Sequence, residues 1–90
     1  MTTRRETTIV NKLGLHARAA AKLVMLASEF GCEVHIRRGT KMVNGKSIMG
    51  VMMLAAGKGT TIELIAEGEG EAEAVERIEE LVRQGFGEDA

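Results

Sequence analysis

Cys32-Glu33-Val34-His35-Ile36-Arg37 places an apolar residue at every second position and a polar one between. Successive side chains of a strand point to opposite faces, so this stretch predicts a strand with one buried face and one wet face, and with it the fold. Sheets built from such strands are characteristically antiparallel, with helices packed on one side. Arg38-Gly39-Thr40 punctuates the strand, and Lys41-Met42-Val43 returns as its hairpin partner before Asn44-Gly45, a turn dipeptide. Upstream, the β-branched run Thr7-Thr8-Ile9-Val10 predicts a strand that ends in the turn Asn11-Lys12-Leu13-Gly14. From Ala17 to Phe30, Ala20, Leu23, Val24 and Ala27 recur at spacings of three and four, a core-facing helix stopped by Gly31. Downstream, Ser47 to Leu54 reads as a short helix with Ser47 at its N-cap. Thr60 to Ala66 sets Ile62, Leu64 and Ala66 against Thr61, Glu63 and Ile65, a further strand. Glu71 to Gln84 carries the stripe Ala74, Val75, Ile78, Leu81 and Val82, with Glu73/Arg77 and Glu79/Arg83 as i,i+4 pairs. The predicted order is βαββαβα: an α+β fold with a four-stranded, mostly antiparallel sheet and three helices on one face.

The 90 residues are expected to form one domain spanning 1–90, because splitting them would leave neither half enough core. At 44% apolar content the chain can fill that core, and disorder is not expected. Cys32, the lone cysteine, can neither close an internal disulfide nor assemble a cysteine zinc site, which excludes disulfide scaffolds and points to a reducing compartment. The longest uninterrupted apolar run, Val51 to Ala56, is far short of the ~20 residues that span a bilayer, so membrane insertion is not expected and the cytoplasm is the predicted location. The net charge of −1 conceals an asymmetry: residues 1–50 hold nine Lys/Arg and three acids, residues 51–90 three Lys/Arg and ten acids. Such blocks predict a basic and an acidic face that steer encounters with partners.

Gly14-Leu15-His16-Ala17-Arg18 puts a histidine between a glycine turn and the first turn of a helix. Free N–H groups and the positive end of the helix favour an anion there; Ala17 and Arg18 supply such N–H groups, and the Arg18 guanidinium can fork onto phosphate oxygens. An uncharged imidazole at that point has a nitrogen lone pair and can accept a phosphoryl group without a separate base. On composition and spacing alone, His16 reads first as a helix-capping residue and second as a phosphoryl acceptor. Ile48, Met49, Met52 and Met53 are too many large apolar groups for one short helix to bury, so some should be exposed as an adaptable docking surface.

The stretches Asn11-Lys12-Leu13-Gly14-Leu15-His16-Ala17-Arg18 and Gly45-Lys46-Ser47-Ile48-Met49-Gly50-Val51-Met52-Met53-Leu54 together resemble HPr, the histidine-containing phosphocarrier family of the bacterial phosphotransferase system. The resemblance covers nearly the whole chain and implies the family's open-faced β-sandwich. It also implies that His16 takes a phosphoryl group at Nδ1 from phospho-enzyme I and passes it to a histidine of a IIA domain or protein. It makes Ser47 a site at which an HPr kinase/phosphorylase can lower that activity. It assigns docking to the positions of Ile48, Met49 and Met52, with Leu15 and Ala21 near them. The carrier would be a substrate of the relay rather than an enzyme, a monomer that needs no cofactor and no metal. Asn11 to Gly14 and the closing Gly85-Phe86-Gly87-Glu88-Asp89 look more like the nitrogen-related NPr branch. One departure is Ala19, where the family motif has proline; alanine keeps the helix but leaves its first turn less rigid.

The competing readings are a small nucleic-acid module and a metabolite-binding α+β regulatory domain. Arg37, Arg38, Lys41 and Lys46 around the hairpin motivate the first, but two phenylalanines offer no stacking platform for bases. No feature of the sequence names a metabolite. Gly45-Lys46-Ser47 mimics the end of a P-loop, yet the first glycine of that motif would fall at Thr40. His35 reads as surface, and Cys32 as a small core residue.

Overall fold

The computed structural model describes residues 1–88. Strand β1 spans Thr2–Thr8, helix α1 Ala17–Ala27, β2 Glu33–Arg38, β3 Lys41–Asn44, α2 Ile48–Met52, β4 Thr61–Glu67 and α3 Glu71–Arg83, followed by a 3-10 turn at Gly85–Gly87. The strands form one antiparallel sheet in the order β1-β4-β2-β3. This is the predicted βαββαβα arrangement. Val34 and Ile36 of β2 and Ile62, Leu64 and Ala66 of β4 meet Leu23 and Ala27 of α1 and Val75, Ile78 and Val82 of α3 in a common core.

Four differences from the sequence reading have physical causes. First, β1 begins five residues before the predicted Thr7. Its polar run Thr2 to Glu6 carries no hydrophobic signal but pairs in register with acidic β4 and leans on α3. Arg4 reaches Glu63 at 3.5 Å, Arg5 reaches Glu79 at 2.7 Å, and the Thr3 hydroxyl donates to Glu71 at 2.6 Å.

Second, Ile65 falls on the wet face of β4 by the alternation, but it is only 8% exposed. Arg4 and His35, its partners across the two neighbouring strands, flank it, so the central strand of the open face is covered.

Third, neither predicted ion pair along α3 is among those formed by the described residues. Glu79 turns to Arg5, Arg83 pairs with Glu80 at 3.2 Å, and Arg77 lies 5.8 Å from the Phe30 ring centroid and 3.9 Å from Glu29. Local pairs are worth only a few tenths of a kcal/mol, so tertiary partners take Glu79 and Arg77, and Arg83 is left to the i,i+3 pair with Glu80.

Fourth, the basic and acidic halves do not stay apart. Arg37 joins Arg4 on Glu63, because antiparallel pairing brings the cationic strands against β4. The hairpin cations are likewise engaged. Arg38 donates to the carbonyls of Leu54 and Ala55 at 2.9 and 3.2 Å, Lys41 to Met53 O at 2.8 Å, and Lys46 to Phe30 O at 2.7 Å. Three of these four oxygens lie just past α2, where cations complement free carbonyls. The charges that suggested a nucleic-acid patch therefore hold helix ends and strands together.

Candidate functional site

The loop from Ile9 to His16 is pinned to the segment between α2 and β4. Leu15 N–H donates to Ala56 O at 2.9 Å, and Gly59 N–H to Ile9 O at 2.7 Å. Gly14 allows this approach. Its φ is +67°, and a Cβ there would stand 2.4 Å from Ala56 O. Leu15 anchors the loop from below, 4% exposed within the core.

That anchor presents His16 as the N-cap of α1, with extended backbone and no side-chain cap hydrogen bond. Its carbonyl accepts from Ala20 N–H at 2.8 Å, so the N–H groups of the first helical turn, at Ala17, Arg18 and Ala19, have no partner within the helix. Ala17 and Arg18 are exposed, whereas Ala19 is fully buried against the core. Lys12, Arg18 and Lys22 surround the imidazole in one open cleft that also includes Gly87 and Glu88. Among the described residues Arg18 forms no ion pair, while Lys22 donates to Phe86 O at 2.6 Å. Lys22 and Lys46 are thus tied to backbone carbonyls, and Arg18 forms no side-chain hydrogen bond or ion pair among the described residues.

The closing segment is the part of the site that the sequence reading did not place. After α3 the backbone turns left-handed at three successive residues, Gly85, Phe86 and Gly87, with φ of 64°, 58° and 74°. Phe86 enters the core completely, although a left-handed backbone is unfavourable for a side chain of its size. This turn delivers Glu88 to His16. One carboxylate oxygen lies 2.5 Å from His16 Nε2, and the other accepts from Asn11 Nδ2 at 3.0 Å. Asn11 is buried and also donates to Gly14 O at 2.8 Å, so the glycine turn and Glu88 share one amide. These hydrogen bonds, Asn11's first, hold the Glu88 carboxyl below its ordinary value. A glycine on either side of an aromatic just past a helix was the available signal.

Beside the imidazole lies an apolar surface. Met49 is 76% exposed, Met53 61%, Ile48 43% and Met52 40%, while Val51 and Leu54 fasten α2 to the core. A shallow depression lined by Leu13, Leu15, His16, Met52, Ala55 and Ala56 connects this patch to the histidine. Leu13, 66% exposed, is a member of the patch that the sequence reading omitted. Leu15 adds little to the surface because it is buried, and Ala21 is half-buried on α1. Ser47 caps α2 as predicted, its hydroxyl accepting from Gly50 N–H at 3.0 Å at the edge of the same patch. His35 is half-buried in the sheet, away from His16, and Cys32 is buried. Among the described residues no cluster of His, Cys, Asp or Glu could hold a metal ion, and no helix is long and apolar enough to cross a membrane.

Residues 3–84 match the family model described as "PTS HPr component phosphorylation site". The chain is 55% identical over 85 residues to the phosphocarrier protein HPr of Pseudomonas putida, covering 93% of this chain and 94% of that protein. It is 48% identical over 84 residues to the phosphocarrier protein NPr of Shewanella violacea, covering 93% and 92%. Among solved structures, HPr-C-His from Thermoanaerobacter tengcongensis superposes with a TM-score of 0.94 at 41% identity, covering 98% of this chain and 99% of that one. HPr from Bacillus anthracis does so with a TM-score of 0.87 at 38% identity, covering 90% and 96%.

Proposed function

We propose that His16 carries the phosphoryl group, from the premise that the chain belongs to the HPr family and is a phosphoryl carrier of the phosphotransferase system rather than an enzyme. The observation that carries this assignment is the placement of His16. It is a half-exposed imidazole at the N-cap of α1, with its own helix N–H groups uncapped by it and Arg18 and Lys12 around it. Phosphoryl transfer needs little covalent help beyond alignment and stabilisation of negative charge. The first-turn N–H groups of Ala17 and Arg18 and the Arg18 guanidinium supply that stabilisation when the group arrives, and the positive end of α1 adds to it.

The donor in this reading is phospho-enzyme I and the acceptor a histidine of a IIA domain or protein, each docking on the Met49 patch. Ile48, Met49, Met52 and Met53 form a contiguous apolar surface that reaches His16 through Leu13, which suits a carrier that meets several partners in turn. Ala21 borders the docking area, and residues 1–90 act as one carrier domain. Ser47 is a regulatory position in the same reading. A phosphate of charge ~−1.5 to −2 there would border the patch and repel acidic partners. The working form is monomeric and cytoplasmic.

Onward transfer from the phosphorylated protein to purified IIA proteins, timed at several ionic strengths, tests the reading. Transfer to at least one IIA protein that slows as salt rises supports it, because Arg18 is a surface cation at the site that forms no ion pair among the described residues. Lack of transfer to any IIA protein, or a rate indifferent to salt, counts against the docking described.

A further inference from the structure

We propose that Glu88 is a positioning residue for His16: it holds the proton on Nε2, leaves Nδ1 as the bare nitrogen that accepts the phosphoryl group, and acts as counter-ion to the ring once that group is bound. The inference deepens the carrier reading of His16 and rests on it.

The argument begins with a count of donors and acceptors. Asn11 Nδ2 faces two oxygens, Gly14 O at 2.8 Å and a Glu88 carboxylate oxygen at 3.0 Å, so the amide must present its NH2 group to both. The other Glu88 oxygen lies 2.5 Å from His16 Nε2. Asn11 favours the charged carboxylate, which can only accept, so the hydrogen between Glu88 and the ring sits on Nε2. In the neutral ring Nδ1 then keeps its lone pair. The contact is not a passing surface pair, because the two side chains are 29% and 15% exposed and their backbones are fixed independently. His16 is fixed as the N-cap of α1, and Glu88 by the buried Phe86, by its own N–H donating to Gly85 O at 3.0 Å, and by Lys22 on the Phe86 carbonyl.

The chemistry follows from that proton. The Nδ1 lone pair attacks phosphorus and a P–N bond forms as the donor's P–N bond breaks, its electron pair returning to the donor nitrogen. Nδ1 carries no proton, so none has to leave. The ring gains one positive charge, with its N–H still directed at the Glu88 carboxylate, and a cationic ring is the better leaving group for the next transfer. On discharge the P–N electron pair returns to Nδ1 and the starting tautomer is restored. Glu88 thus serves loading and unloading without itself changing protonation. Its carboxylate is at the opposite nitrogen from the incoming phosphoryl group and so does not compete for Nδ1.

The test compares the wild type with Glu88→Ala, and uses Glu80→Ala, an exposed carboxylate of α3, as the control for lost surface charge. Nitrogen-15 NMR of His16 at alkaline pH reads the tautomer directly. In the wild type the two ring nitrogens should lie far apart, Nδ1 as a bare nitrogen and Nε2 as a protonated one. In Glu88→Ala both should move toward each other as the second tautomer is admitted. The rate of phosphoryl acceptance from phospho-enzyme I should fall roughly tenfold, the effect of one hydrogen bond to a charged group. Glu80→Ala should change neither reading. Nitrogen shifts in Glu88→Ala identical to wild type, or acceptance as fast as or faster than wild type, would overturn the proposal. Failure of the wild type to accept a phosphoryl group would defeat the carrier reading instead, and the nitrogen shifts would still decide whether Glu88 holds the proton.

Discussion

Phe86→Ala should unfold the protein's closing segment and lower its stability more than the position of Phe86, three residues beyond α3, would suggest. The ring is completely buried in the common core, and it is one of two phenylalanines in the chain. Truncating a buried Phe to Ala costs about 3–5 kcal/mol from lost burial and the cavity left behind. A chain of this length typically has roughly 5–14 kcal/mol in total, so the substitution should remove about a fifth of it or more. At about 4–8 °C per kcal/mol for domains of this size, the melting temperature should fall by roughly 12–40 °C.

The left-handed backbone adds a second, sharper expectation. Phe86 has φ of 58°, a conformation that costs a residue with a Cβ about 1–2 kcal/mol and costs glycine little. Ala at this position keeps that strain and Gly releases it. Phe86→Gly should therefore be at least as stable as Phe86→Ala, the reverse of the ranking inside a helix. Urea unfolding followed by far-UV circular dichroism suits a chain without Trp or Tyr. A loss below about 1 kcal/mol for Phe86→Ala would refute the packing argument. A glycine variant clearly less stable than the alanine variant would refute the backbone argument.

Three further outcomes are expected. Gly14→Ala should destabilise by more than about 1 kcal/mol and slow phosphoryl acceptance together, because the new methyl meets Ala56 O where φ is already +67°; unchanged melting would show that the loop yields freely. Met49→Asp should leave the melting temperature almost unchanged, since Met49 is 76% exposed, while the rate of transfer from phospho-enzyme I falls by about tenfold or more, a loss near 1.4 kcal/mol; equal transfer would remove Met49 from the docking surface. Glu71 is held below its ordinary carboxyl value by the Thr3 hydroxyl and then by Gly68 N–H. A lowered folded value means stability present above the ordinary carboxyl range and lost as pH falls through the folded value. Glu71→Gln should therefore be less stable than wild type at neutral pH, with the difference closing in acid; a gap that persists at low pH would contradict the assignment.

The parts of this fold that were legible in sequence are those in which local pattern and tertiary demand agree. The alternation in Cys32 to Arg37, the stripe of α3 and the capping Ser47 reappear in the structure almost residue for residue. What was not legible depends on partners distant in sequence. The polar half of β1 becomes a strand because acidic β4 lies beside it, and Ile65 is covered because Arg4 and His35 flank it from either side. The site divides in the same way. The anion-favouring helix start at His16 and Arg18 and the Met49 patch follow from short-range features, a turn, a helix start and a surplus of apolar groups, whereas choosing a phosphoryl acceptor over a helix cap at His16 took the family resemblance. Glu88 is 72 residues from His16, and its contact depends on a left-handed turn around a buried aromatic. Gly85-Phe86-Gly87 marks that a turn is present, but where it delivers the next side chain is decided by the cavity that receives Phe86. The roles of three of the four hairpin cations, Arg38, Lys41 and Lys46, were hidden for a related reason, because their targets are carbonyls, which a sequence presents at every position, and Arg37 reaches a carboxylate on another strand.

The measurement closest to the central claim is intact-mass analysis of the wild type and His16→Ala after incubation with phosphoenolpyruvate and enzyme I, each sample split and one half briefly acidified. The wild type should gain a single phosphoryl group that acid removes, and His16→Ala should gain none. Equal modification of His16→Ala, or a wild-type gain that survives acid, would place the phosphoryl group elsewhere and contradict the account.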